Sequence, residues 1–512
     1  MLPERPDILL IVLDTVRRDR LGIYGCARPT SPALDAFAAD STLFLQAVSP
    51  AQWTVPAHAS LFTGLYPGAH GVTEASHKLS GLHPTLAETL RAAGYHTAGF
   101  SNNPLVGVLD NDLTRGFTDF FVYAGAAVNR PLEKPGLLQR RWRRFAQPTQ
   151  NRFAHSDALF RASLNALLVP LWTRFVNYKG DTAQSVTDLI DYLQRRRASG
   201  SCAPLFAFLN LMGAHLPYRP PRSALEAVAP ELGRDRRAAA FVRRFNAQAV
   251  RWASPDEPPL QDWQRAALSA WYGAELRAQD AHLGRLLEYL TTSGALDSTL
   301  VVIAADHGEG HGDHGYIGHS FVVYQELVHV PLLVRWPGGA GRGARIAGPV
   351  STRRIYHTAL EAAGVTPPLD AADPNANVRG LSLARALAGD VDADCGTAFA
   401  EAYPPGTLLR LLERRAPDLV ERLRLRQTRR AVYADGWKLA AVDSKVEGLF
   451  YLASDPAESR DLATAEPDCA ASLMARLQAF TAAQAVQSSG GPLPAQADAA
   501  VVASLRALGY IE

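Results

Sequence analysis

Apolar runs that close on a carboxylate constrain this chain more than any other feature. Residues 8–13 read ILLIVL and end at Asp14, while residues 299–304 read TLVVIA and lead through Ala305 to Asp306 and His307. Such runs are too apolar to face water on either side, which suits the centre of a parallel sheet covered on both faces. Open α/β sheets bind ligands beyond the C-terminal ends of their strands, so both runs deliver polar side chains to one edge. Residues 94–101, 205–212 and 330–335 read as further strands, and residues 56–63, 85–93 and 265–291 as helices. Pro56 reads as a first helical residue and Gly64 as a stop. The alternation predicts an α/β fold, a central, mostly parallel sheet flanked by helices.

Two regions break that rhythm. Residues 136–179 are rich in Arg, Trp, Phe and Leu and read as a basic, aromatic insertion. It suits either a cap over the sheet edge or an amphipathic helix touching a membrane or a partner. Its arginines would draw an anionic substrate, and Trp142, Phe145, Trp172 and Phe175 suit an aryl or lipid leaving group. After about residue 390 come short strands and a final helix over residues 468–483, which predict a small α+β subdomain. The expected division is a main domain over residues 1–389 and a C-terminal subdomain over 390–512, which a chain of 512 residues accommodates.

Composition narrows the function classes. A formal net charge of +2 gives no reason to expect a nucleic-acid partner. No stretch reaches the roughly 20 apolar residues of a spanning helix, and the first residues lack a signal-peptide pattern, so the expected location is cytoplasmic. Cys26, Cys202, Cys395 and Cys469 form no CxxC pair and are expected to be reduced and mostly buried.

The chemistry rests on Asp14, Thr54, Asp306 and His307, which the strand ends and the helix start bring to one place. Three oxygen ligands and one imidazole suit a single divalent ion, Mn²⁺, Zn²⁺ or Mg²⁺, with Ca²⁺ less suited because of the nitrogen. A threonine hydroxyl is a poor nucleophile near neutral pH, and coordination to a metal activates it. The helix that follows Thr54 would turn its first amides toward an anionic group.

These blocks resemble the sulfatase family of the alkaline phosphatase superfamily, over nearly the whole chain. The likeness lies in PDILLIVLDTVRRDRLGIYG, TVPAHASLFTGLYPGAHGV, LVVIAADHGEGHGDHG and YQELVHVPLLVRWPG, in family order, and in the later RGLSLARALAG and GLFYLASDPAESRDLA. The departures matter as much. Family sulfatases carry Cys or Ser followed by x-P-S-R and oxidise it to formylglycine; here the positions read Thr54, Pro56, Ala57 and His58. Oxidised threonine is a ketone, so that nucleophile cannot form. Thr15 replaces a second metal carboxylate, residues 102–104 replace a Lys-x-His block, and Asp306-His307 replaces Asp-Asn. Asn210 and His215 lack the aspartate that double-zinc relatives need, which implies one metal.

The resemblance implies that His58, Asn102, His215 and His319 contact substrate, His215 at the transferred group and His319 near the leaving group, with Thr54, His215 and His319 catalytic. His311 and His314 read as a solvated loop, and Arg17 as a partner for a nearby carboxylate or a surface residue. Phosphodiesterase, phosphonate hydrolase and phosphoglycerol or phosphoethanolamine transferase branches are similar in using Thr and Asp-His. The implied function is metal-dependent hydrolysis of a small anionic phosphate ester or phosphonate through a Thr54 intermediate. Sulfuric ester hydrolysis without formylglycine, phospho-group transfer and non-catalytic anion binding stay open.

Overall fold

The structure, a computed structural model, describes residues 5–124, 128–131, 178–255, 258–367, 376–487 and 493–494. Its main sheet has eight strands. They are β1 (Asp7–Leu13), β2 (Thr42–Val48), β3 (His96–Ser101), β4 (Asp119–Val122), β5 (Leu205–Leu211), β6 (Thr299–Ala304), β7 (His329–Arg335) and β8 (Arg345–Ser351). Their order is β8-β2-β7-β6-β1-β5-β3-β4. β1 lies between β5 and β6 and parallel to both, with Ile11 opposite Leu209 on one side and Ile303 on the other. From Ile8 to Leu13 it is buried throughout, as a strand covered on both faces must be. Only β7 runs antiparallel to its neighbours, β2 and β6, so the sheet is mostly parallel.

Helices flank it, among them α1 (Thr54–Thr63), α2 (Leu86–Ala92), α3 (Thr182–Ala198), α4 (Asp262–Thr292) and α5 (Arg354–Ala362). They pack in two groups, α3 on α4, and α5 on α1 and α2. α1 starts at Thr54, two residues earlier than the sequence suggested. Trp53 is extended (φ −150°, ψ 169°), so Thr54 opens the helix. Pro56 then falls inside the first turn, where its missing N–H has no intrahelical partner to lose. β2, β4 and β8 add to the five expected strands. The Gly-Pro pair in β8 reads as a turn in sequence but is tolerated on a sheet edge.

A second, antiparallel sheet follows the order β9 (Ala398–Ala402), β10 (Arg429–Ala434), β11 (Trp437–Val442), β12 (Lys445–Tyr451). One face packs on α6 (Pro467–Gln487), whose Leu473, Leu477 and Phe480 meet Val432, Ala434 and Leu439. The other face shares a core with Val48, Phe321, Val323 and Leu327, so it leans on the segment between β6 and β7. The insertion, apart from Tyr178 and Lys179, lies outside the described residues, and with it Trp142, Phe145, Trp172 and Phe175. Among the described residues no helix is long and apolar enough to cross a membrane. The cysteines are free thiols, but not mostly buried: Cys202 and Cys395 are exposed and Cys26 and Cys469 half-buried, all but Cys469 in loops and turns.

His314 joins the two sheets, and it is not the solvated residue the sequence suggested. Its Nδ1 is 2.8 Å from Glu326 Oε1 and its Nε2 is 2.9 Å from the Ala457 carbonyl. Both nitrogens face acceptors, so both carry hydrogen and the ring is an imidazolium. It stacks on Tyr324 with centroids 4.0 Å apart and planes 7° apart. Burial opposes the charge, yet Glu326, Glu458 and the Ala457 carbonyl outweigh it and raise the His314 pKa above its ordinary value. A raised histidine pKa adds stability below the ordinary value and loses it as pH rises through the folded one. The melting-temperature gap between wild type and His314→Phe should therefore be widest near about pH 6 and narrow toward about pH 8. Calorimetry across that range checks it, and a gap independent of pH would rule out the charged link.

Candidate active site

Asp14 follows β1, Asn102 and Asn103 follow β3, His215 lies beyond β5, and Asp306 and His307 lie beyond β6. Parallel strands turn all of these ends to one edge, and α1 adds Thr54. Asp14, Asp306 and His307 are buried and present ligand atoms within 4.8 Å of one another. Thr54 Oγ1 is 3.3 Å from His307 Nε2. His307 Nδ1 donates to the Gly308 carbonyl at 2.9 Å, which leaves Nε2 bare and aimed at the cluster.

Each carboxylate is half satisfied. Asp14 Oδ2 accepts from the Asn103 amide, and Asp306 Oδ1 accepts from the backbone N–H groups of His307 at 2.9 Å and Thr15 at 3.3 Å. Among the described residues, Asp14 Oδ1 and Asp306 Oδ2 accept no hydrogen bond, although both are buried. Burial, and then the repulsion between them, pushes the Asp306 carboxyl well above the usual range, and burial raises Asp14 to about 6. Two partnerless buried oxygens and one bare imidazole nitrogen form a donor set that fits one divalent cation.

Thr15 supplies its N–H from a left-handed backbone, φ 59°. That conformation is uncommon for a β-branched residue and costs on the order of 1–3 kcal/mol. Tyr272 of α4 holds it there: its hydroxyl donates to the Thr15 carbonyl at 2.8 Å and accepts from Arg17 N at 2.8 Å.

The predicted histidines divide. His58 is fully buried: its Nδ1 donates to the Thr54 carbonyl at 2.9 Å and its Nε2 accepts from Asn210 at 3.2 Å. No ring nitrogen is left for a substrate, which departs from expectation; His58 ties the start of α1 to β5 instead. Burial lowers its pKa to about 4, so it is neutral. Asn102 is also buried, its Oδ1 without a partner among the described residues, while its neighbour Asn103 is the one that touches Asp14. His215 and His319 do meet, with ring centroids 5.2 Å apart, and His319 lies 4.6 Å from the His307 ring. His215 donates from Nδ1 to the Leu216 carbonyl, and burial lowers its pKa to about 4. Burial alone would discharge His319 too, but Glu309, whose Oε1 takes its Nδ1–H at 2.8 Å, raises its pKa.

Glu309, Asn103 and Tyr178 went unread in the sequence. Glu309 is fully buried, and its only sequence signal is an acid in an otherwise His- and Gly-rich loop. Arg17 pins that loop: its guanidinium donates to the Glu309 carbonyl at 3.1 Å and pairs with Asp313 and Asp19 at 2.8 and 2.9 Å. His311 is buried too, its Nε2 hydrogen-bonded with the Tyr218 hydroxyl at 2.8 Å, so the loop is not solvated as expected.

A mostly parallel sheet thus gathers buried carboxylates, an imidazole and a hydroxyl at one edge, where they form a candidate divalent-metal centre. The sulfatase family profile matches residues 6–365, and the chain belongs to that family. It is 25% identical over 500 residues to arylsulfatase K of Bos taurus, covering 93% of this chain and 82% of that one. It is 24% identical over 360 residues to the ulvan-active sulfatase of Formosa agariphila, covering 70% of this chain but only 61% of that relative's length. The fold is similar to that of the phosphonate monoester hydrolase of Agrobacterium radiobacter, with a TM-score of 0.60 and 21% identity over 94% of this chain and 96% of that one.

The raised carboxyls set the sign of a pH effect. In the metal-free fold, Asp14 and Asp306 add stability only while protonated and lose it as pH rises through their folded values. A bound cation removes that loss. The melting-temperature increment produced by Mn²⁺ or Zn²⁺ after chelator dialysis should grow from about pH 4 to about pH 7. An increment that is flat with pH, or unchanged in Asp306→Asn, would place metal binding elsewhere.

Proposed function

We propose that this protein is a metal-dependent hydrolase that cleaves a phosphate ester or phosphonate through a covalent intermediate on Thr54. One observation carries the reading: the Thr54 hydroxyl, at the start of α1, lies 3.3 Å from Nε2 of His307, which clusters with the buried carboxylates of Asp14 and Asp306. A divalent ion held by Asp14, Asp306 and His307 supplies positive charge that favours the Thr54 alkoxide.

The remaining steps belong to the chain's own residues. Thr54 Oγ1 attacks phosphorus opposite the leaving oxygen, forming one P–O bond as the other breaks. The first amides of α1 face the anionic group. His319, kept charged by Glu309, gives its Nε2 proton to the departing oxygen. The same nitrogen then takes a proton from the water that cleaves the phosphothreonine, so the ring ends as it began. His215, neutral with a bare Nε2, orders that water. His58, Asn210 and Asn103 keep Thr54 and Asp14 in position without touching the substrate.

A second reading, sulfuric ester cleavage by the same hydroxyl, is favoured by the sulfatase names of the relatives. Assays on p-nitrophenyl esters of phosphate, phosphonate and sulfate separate the two, with the phosphorus esters expected to turn over faster. Thr54→Ala should lose about a thousandfold or more in kcat while keeping its metal. Acid quenching of the wild type should trap a phosphoryl group on Thr54. Unchanged turnover in Thr54→Ala would remove it as nucleophile, and turnover of sulfate alone would favour the second reading.

A further inference from the structure

The edge of the main sheet opposite the catalytic cluster carries a cavity of about 770 Å³. Its volume falls within the range of small-molecule sites. Asp7, Leu205 and Thr299, the first residues of β1, β5 and β6, line it, together with the last turn of α3 and the residues that follow α4. The same three strands lead away from it toward Asp14, His215 and Asp306. At about 3.3 Å per residue, the seven residues of β1 put roughly 20 Å between the two places. None of Asp14, Thr54, His215, Asp306, His307 and His319 lines the cavity, so a molecule held there is separate from the one that meets Thr54.

Its lining is part apolar and part cationic. Leu9, Leu205 and Leu290 are buried side chains that line it. Arg5, Arg196 and Arg197 supply the charge. Each is anchored on a backbone carbonyl: Arg5 Nη1 donates to Ala93 at 2.6 Å, Arg196 to Ala203 and Arg197 to Ser293. A guanidinium carries five N–H donors in a fixed fork, so each keeps most of them for another partner. Among the described residues none of the three meets a carboxylate at salt-bridge distance. Asp7 is the one acid among the lining residues, and its Oδ1 takes the Leu205 N–H at 2.7 Å. With Asp7 ionised, three cations face one anion, and the excess of two positive charges is held in place without being neutralised.

A neutral molecule would cover the leucines but leave the forks to water, and a bare inorganic anion would meet the forks but leave the leucines wet. A ligand that does both carries its charge on oxygens and its bulk on carbon. We propose that this cavity is a second ligand site, for a small organic dianion that carries two carboxylates or one phosphoryl group on a compact apolar body. The proposal is independent of which ester the catalytic cluster cleaves.

The test reads a thiol that the protein already carries. Cys202 is exposed and lines the cavity, whereas Cys395 is exposed and does not, so Cys395 is an internal reference. The metal-loaded full chain is alkylated with iodoacetamide in mildly alkaline buffer, and labelling of each cysteine is followed by peptide mass spectrometry. The probes are isophthalate, phenylphosphonate (which has no ester bond to cleave), the uncharged isophthalamide and inorganic phosphate. At least one of the two organic dianions should slow labelling of Cys202 by about fivefold or more relative to Cys395, and the stronger of them identifies the head group. Isophthalamide should leave the ratio unchanged, and inorganic phosphate should protect less. Combining Arg196→Gln with Arg197→Gln should remove the protection while the melting temperature stays that of the wild type. Protection by neither dianion overturns the proposal, as does equal protection by isophthalamide or by inorganic phosphate. Calorimetric titration of the same dianions needs no thiol: one binding event should be lost in the double variant, and identical isotherms for the two proteins would overturn the site.

Discussion

Two carboxylates with nowhere to send their charge govern this molecule. Asp14 and Asp306 end neighbouring strands, so the register of β1 against β6 sets their separation, and neither side chain reaches water. Ligand atoms within 4.8 Å of one another are close enough for unit charges to repel by roughly 3–4 kcal/mol at an effective dielectric of about 20. Folding such a pair is tolerable only if most of their lone pairs are met by the protein and the rest by a proton or a cation. Asn103, the His307 amide and the Thr15 amide take the first share. The two oxygens left over mark where a proton or a cation fits.

Much of the surrounding structure serves that requirement at one remove. Thr15 adopts an unfavourable backbone to aim its N–H, and Tyr272 from α4 holds it there through two hydrogen bonds. Arg17, two residues on, turns the other way and clamps the loop that carries Glu309. Glu309 then sets the charge on His319. A helix, a strand end and a distant loop are thus coupled through a handful of directed contacts.

What was legible in the sequence follows from this. Asp14, Asp306 and His307 are legible only jointly: one Asp after an aliphatic run is more often a turn or cap residue, but several such strand ends converge on one sheet edge. Thr54 is legible by its place before a helix, although Pro56 hid the true start; proline prefers the first helical position, and here extended Trp53 moved the boundary back. Glu309 and His311 were hidden because polar residues among glycines look solvated, and their burial comes from Arg17 and Tyr218, remote in sequence. His58 looked like a substrate ligand, yet its ring is consumed by contacts with Thr54 and Asn210 that no spacing rule foretells. β8 was lost to its own Gly-Pro pair, and the direction of β7 was invisible because hydrophobic pattern does not encode strand polarity.

The reversed direction of β7 has a consequence for how such a site changes over time. A parallel strand after β6 would oblige the chain to travel to the far end of the sheet before returning. Because β7 runs back beside β6, the chain between them leaves and re-enters at the same edge, the edge that carries the Asp14–Asp306–His307 cluster. His307, Glu309, His319 and Glu326 all ride on this one excursion. Its length is not tied to any crossover, so residues can be added or exchanged there without shifting the pairing of a single strand. The sheet fixes the Asp14–Asp306 pair, and this stretch can vary in length and side chains while the scaffold stays as it is.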